Sequence, residues 1–267
     1  MIRLNRKGLA IIKKDIKDIF SSKQIYMPMI IVPLLMVVLI PSLMLIGVSL
    51  SFDMSDILKD MKGLLNKLPY DYGVLTAEQL IIKASIDYIF PSFFLIIPIM
   101  CSSILGASSF VGEREHKTLE TLFYTPITLK ELFVSKVLGV FIPSYATTLI
   151  SFIAFGLVVN IGGLKFFRGI IFPNIKWIIL IGYLVPAITL LGLTFTVLVS
   201  AKSKTFQDAQ QVSGLIIIPI ILLVVGQMTG VFLLTNFILV VLGTIIYLID
   251  YILFNKLTTN FKYEKLI

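Results

Sequence analysis

The chain of 267 residues is 57% hydrophobic and only 14% charged, with a net charge of +8. A soluble domain of this size carries roughly a quarter charged residues. One cysteine, Cys101, and one histidine, His116, exclude an intramolecular disulfide and any Cys- or His-built metal site. The positive charges sit at the ends of long apolar runs, where they read as orientation signals rather than a nucleic-acid patch.

Residues 1–24 hold seven Lys/Arg against two Asp, and Leu9, Ile12, Ile16, Ile19 and Phe20 recur at helical spacing. Residues 1–25 are expected to be a basic amphipathic helix in the cytoplasmic interface, held by anionic lipid. An ordinary positive-inside flank is the alternative, and both readings put the N-terminus inside. The first apolar run is too long for the h-region of a cleavable signal peptide. It predicts span 1 at 26–50, kinked by Pro28, Pro33 and Pro41. Residues 51–87 form the expected external loop, with Thr76-x-x-Gln79 capping a helix into span 2.

Span 2 is predicted at 88–111. Its small residues (Ser102, Ser103, Gly106, Ala107, Ser108 and Ser109) favour close helix packing over lining a substrate path. A charged interruption follows: Glu113–Lys136 contains four acidic and four basic side chains, although 88–112 and 137–164 contain none. Read as a helix, it puts Leu119, Leu122 and Phe123 on one face and lets Glu113 pair with Lys117. Pro126 ends it, and Thr128-x-x-Glu131 has the spacing of a capping box for the next helix. Residues 112–130 are therefore expected to be a short cytoplasmic docking helix, with His116 a solvated imidazole on it.

Span 3 is predicted at 132–158 and span 4 at 177–200, with Trp177 as an interfacial anchor. The connection between them carries Lys165, Arg168 and Lys176 without an acid, against the positive-inside trend. A polar cytoplasmic loop at 201–211 contains Lys202, Lys204, Phe206 and Gln210. The uncharged run 209–249 would be about 60 Å long as one helix, twice the hydrocarbon thickness. It must therefore reverse near Gln227–Gly230 and Thr235–Asn236, giving span 5 at 212–227 and span 6 at 233–254, with a re-entrant outer part as an option. Asn160, Gln227 and Asn236 read as outer span ends, with substrate contact the alternative. Residues 255–267 form a cytoplasmic tail. Sixteen basic residues then fall inside and seven outside, so both termini are expected in the cytoplasm. The fold class is all-α integral membrane protein, six transmembrane helices in a domain spanning 26–254.

No P-loop occurs, since no glycine is followed by lysine, and H-E-x-x-H, C-x-x-C and G-x-S-x-G are missing. No charged residue lies mid-span, which argues against an ion-coupled carrier. Asp250 is expected to be a hydrated or paired structural carboxylate near the cytoplasmic boundary.

The motif Gly112-Glu-Arg-Glu-x-Lys-Thr-Leu-Glu-x-Leu-x-x-Thr-Pro126-Ile-x-x-x-Glu131-x-x-x-x-Lys136 resembles the segment after span 2 in permeases of type-2 ATP-binding-cassette (ABC-2) exporters, including the sodium- and antibiotic-efflux branches. The external loop is shorter than in the sodium-efflux branch. The resemblance implies a bacterial cell-membrane permease that is not itself an enzyme and binds no cofactor or metal. It would pair with a second permease copy or homologue and with two copies of a separate ATPase that binds ATP and Mg. It also implies that residues 112–130 are the coupling helix. Glu113, Arg114, Glu115, Thr118, Leu119, Glu120, Leu122, Phe123, Thr125 and Pro126 would then dock on the ATPase, and Lys202, Lys204, Phe206 and Gln210 would form a second contact loop. A membrane immunity or sensor protein that binds a toxic peptide or lipid without pumping it is the rival reading, and a channel is the third.

Overall fold

The computed structural model describes residues 6–50, 58–112, 115 and 128–260, and among these the regular structure is entirely helical. A short helix, α1 (Arg6–Ser21), precedes six apolar helices long enough to cross a membrane. These are span 1 (Lys23–Ser49), span 2 (Ala77–Gly112), span 3 (Glu131–Gly163), span 4 (Ile175–Ser200), span 5 (Phe206–Met228) and span 6 (Asn236–Leu257). A second short helix, α2 (Lys62–Leu65), lies between spans 1 and 2. The spans alternate in direction, so α1 marks one end of the bundle, here the near end, and α2 marks the far end. The chain is thus an all-α, six-span membrane protein.

Prolines shape three of the spans in one manner. A proline cannot donate to the carbonyl four residues earlier, and its ring crowds that carbonyl. For Pro41, Pro91 and Pro186 that carbonyl belongs to Val37, Asp87 and Gly182. Each is the middle residue of a π-helical turn, at Leu35–Leu39, Ser85–Ile89 and Leu180–Leu184. The wider turn moves the crowded carbonyl aside. In span 2 the released acceptors are used: Lys176 Nζ donates to Asp87 O at 2.7 Å, and Trp177 Nε1 donates to Ile86 O at 3.0 Å.

The first of those bonds accounts for one of the three basic residues before span 4, Lys176. Lys176 is buried at the far end against span 2, 3.5 Å above the Tyr88 ring. The Asp87 carboxylate accepts from Tyr72 Oη and Asn174 Nδ2 and lies 3.3 Å from Lys83 Nζ. Trp177, expected at the lipid–water interface, is instead fully buried. Its ring meets Phe94, Phe155 and Phe172 at centroid distances of 5.3, 4.9 and 5.0 Å. The freed Ile86 carbonyl gives the indole N–H a partner inside the protein, so it has no need of the interface.

Span 2 starts at Ala77 rather than 88, because the Thr76–Gln79 capping box opens a helix that runs unbroken through Asp87 into the apolar run. At about 54 Å it exceeds the hydrocarbon thickness, which leaves its first turns beyond the bilayer core. Its small residues pack as expected. Gly106 faces Thr196 of span 4, whose Cγ2 would lie 3.1 Å from an added Cβ, and Gly192 of span 4 faces Ser102. Asn160 is a folding residue: its Oδ1 accepts from Ile171 N and Phe172 N, both at 3.1 Å, and its Nδ2 donates to Phe172 O at 2.7 Å. Asp250 is paired within the bundle. It is 5% exposed and accepts from Thr194 Oγ1 of span 4 at 3.3 Å.

The Tyr72 phenol lies outside the spans and is pushed well above its ordinary value, first by burial and then by the neighbouring Asp87 charge. The folded state therefore holds this proton more tightly than the unfolded chain. Its contribution to stability is complete below the ordinary phenol value of about 10 and declines as pH rises beyond it. Tyr72→Phe should flatten part of the fall in thermal stability above about pH 10, as read by melting curves against the parent.

Candidate functional site

The near end is where span 2 stops and span 3 begins, and the structure holds these two roots in a fixed relation. Span 3 opens on the predicted capping box. Thr128 Oγ1 accepts from Glu131 N at 3.2 Å, and Glu131 Oε2 accepts from Thr128 N at 3.3 Å. Span 2 closes on a π turn, Ser108–Gly112. Lys136, 2% exposed, reaches back from span 3 and donates to Ser109 O at 2.6 Å, with its Nζ 5.4 Å from the centre of the Phe110 ring.

The third member of this root is α1. Ser109 Oγ donates to Asp15 Oδ2 at 3.2 Å, and Asp15 is 7% exposed. Asp15 can approach because Gly139 of span 3 has no side chain; a Cβ there would sit 3.0 Å from Asp15 Oδ2. The helix is rotated from its expected setting. Ile11, Ile12, Asp15 and Ile19 face the bundle, while Leu9 and Phe20 are exposed. The apolar stripe predicted a lipid-facing helix, but the protein-facing side is centred one residue away and includes a carboxylate. Leu9 and Phe20 remain as the edge available to lipid.

Of the ten predicted docking residues, Glu115 is described. Glu113, Arg114, Thr118, Leu119, Glu120, Leu122, Phe123, Thr125 and Pro126 lie outside the described residues, as does His116. Glu115 makes a contact within the chain: its Oε2 accepts from Phe206 N at 2.9 Å, at the first turn of span 5. A carboxylate there meets unpaired N–H groups and the positive end of the helix dipole. It adds to a second capping box, in which Thr205 Oγ1 accepts from Asp208 N at 3.2 Å. The predicted loop 201–211 is consequently shorter. Phe206 and Gln210 lie on the span 5 helix, which gains at this end the length it lacked as a 212–227 segment. Phe206 packs against Ala107, Val111 and Ala209, whereas Lys202 and Lys204 are exposed.

The sequence segment before span 3 and the one before span 5 are thus joined through Glu115, and α1 is joined to both roots through Asp15. Beside them opens a cavity of about 590 Å³, lined among the described residues by Lys14, Asp15, Asp18, Ser109, Glu115 and Phe206. This recess, with charged side chains in its lining, contrasts with the aromatic packing at the far end. Among the described residues no group of His, Cys, Asp and Glu is placed to hold a metal ion. Asp15, Ser109 and Lys136 were not among the predicted site residues. The signals for two of them were Lys136 closing the motif and Asp15 lying next to the apolar stripe of a basic helix.

Residues 9–263, nearly the whole chain, match the family described as ABC-2 family transporter protein. The chain belongs to that family. Comparison with curated proteins and with solved structures gives no match. As an ABC-2 permease, the six-span bundle is the membrane component of a transporter, and membership implies association with an ABC ATPase. The near end of this permease is where the roots of spans 2 and 3 are linked to α1 and to span 5.

Proposed function

We propose that the chain is the transmembrane subunit of an ATP-driven exporter in a bacterial plasma membrane, with both termini cytoplasmic. Two copies of a separate ATPase would bind ATP and Mg, and a second permease copy or a homologue would complete the translocation path. The carrying observation is the pair of roots on either side of residues 113–127. Lys136 and Asp15 converge on Ser109, and Glu115 ties the same region to the start of span 5.

A short segment rooted in this way moves only if spans 2, 3 and 5 move with it. A push from a soluble partner would therefore pass to the spans as a rigid-body shift instead of being absorbed locally. In this reading Leu119, Leu122 and Phe123 are apolar anchors in a cleft of the ATPase. Glu113, Arg114 and Glu120 form the polar rim that sets register. Glu115 has the different task of binding the two near-end segments into one body. Lys202 and Lys204 supply an exposed basic margin beside it.

The test of sidedness is substituted-cysteine labelling. Cys101→Ala removes the chain's one thiol, and Glu120→Cys introduces one in the proposed docking segment. A membrane-impermeant maleimide should label it in inverted vesicles and not in right-side-out vesicles, and co-expressed ATPase should protect it. Labelling from the outer face overturns the assignment.

A further inference from the structure

At the far end, span 5 is fastened by very few groups. Only 22% of its apolar window is buried inside the protein, against 83% for span 2, so each specific contact it makes carries weight. One is polar and sealed. Gln227 and Ser92 are both fully buried, and Gln227 Nε2 donates to Ser92 Oγ of span 2. Among the described residues Gln227 Oε1 has no hydrogen-bond partner. The amide is therefore held through its nitrogen in a fully buried position.

The second fastening is backbone on backbone. Span 5 ends in a Schellman motif, with Val231 N donating to Gly226 O at 2.8 Å and Gly230 N to Gln227 O at 3.0 Å. That motif puts Gly230 at φ +71, a conformation suited to glycine, and leaves a flat surface. Gly63 of α2 lies directly on it. A Cβ on Gly63 would overlap the Thr229 carbonyl, and one on Gly230 would overlap the Gly63 carbonyl. Lys67 Nζ adds a longer bond to Val231 O at 3.4 Å. Beside Gly63, Leu64 is fully buried and Met61 is 5% exposed.

We propose that the Ser92–Gln227 bond and the Gly63–Gly230 seat act as one clasp, which closes the far end between spans 2 and 5 and is poised to open. The two fastenings sit within one turn of each other on span 5. Pulling Gln227 away from Ser92 therefore displaces the surface on which α2 rests. The sparse burial of span 5 supplies the poise, because little other packing inside the protein has to be given up when these two fastenings part. The inference concerns this chain alone and does not depend on the docking assignment.

The test uses the full chain in lipid nanodiscs, in the Cys101→Ala background, with Leu64→Cys as reporter. N-ethylmaleimide reaches this thiol only when α2 lifts, so the labelling rate tracks the open population. Ser92→Ala leaves the whole Gln227 amide unpaired and should speed labelling by about tenfold or more. Adding Gln227→Leu replaces the stranded amide with an apolar group of similar shape, and should return the rate to the parent value or below it. A Ser92→Ala rate within about twofold of the parent, well short of what a lost buried bond gives, overturns the proposal. So does a double variant that labels as fast as Ser92→Ala alone. A second reporter at the near end, Val111→Cys, should keep its rate in every variant; acceleration there too would mean general loosening and would equally overturn the clasp. If Leu64→Cys does not fold, Met61→Cys takes its place.

Discussion

Lys136→Ala should destabilise the permease by about 3–5 kcal/mol, the range for removing one member of a buried charged network. The side chain is 2% exposed, and its ammonium donates to the Ser109 carbonyl at 2.6 Å. Truncation strands a carbonyl in the π turn that ends span 2. It also removes the positive charge next to the hydroxyl that binds Asp15 and opens a cavity beside Phe110. Lys136→Met separates these effects, since it keeps the apolar stem and discards the charge. If charge and hydrogen bonding dominate, Met should recover only the packing part, a minority of the loss. Thermal melts in detergent read the difference, and a Met variant as stable as the parent would show that Lys136 acts as a spacer. If the proposed docking through residues 112–130 holds, the alanine variant should also lose ATPase association at temperatures where it remains folded.

Much of this architecture was legible in the residues. Uncharged runs longer than 18 residues give the spans, the 41-residue run had to reverse, and Gly230 and Asn236 bracket the reversal. The capping boxes at Thr76 and Thr128 begin helices as their spacing indicates. What escaped depends on partners distant in sequence. Lys176 and Trp177 looked like loop charge and lipid anchor, because nothing local reveals that Pro91 frees two carbonyls ninety residues earlier to receive them. Glu115 looked like part of a rim facing another protein, because its backbone partner, Phe206 N, belongs to a different span. The α1 stripe was visible, but its rotation depends on Gly139 leaving space for Asp15, which only the folded bundle shows. The side chains that hold the near end together were a matter of tertiary geometry.

If residues 112–130 carry the contact through which a separate ATPase drives this bundle, removing their apolar anchors should abolish association. Changing Leu119, Leu122 and Phe123 together to Asp puts three charges where apolar anchors would enter a cleft. Single buried anchors contribute about 2 kcal/mol or more each, so the triple change should weaken association by at least about a thousandfold. Expression, membrane insertion and melting temperature, read alongside, should match the parent. The deciding measurement is co-purification of the ATPase with the tagged permease from membranes. The account predicts parental yield for the wild-type chain and background yield for the triple variant; ATPase recovered with the triple variant at the parental level would contradict it.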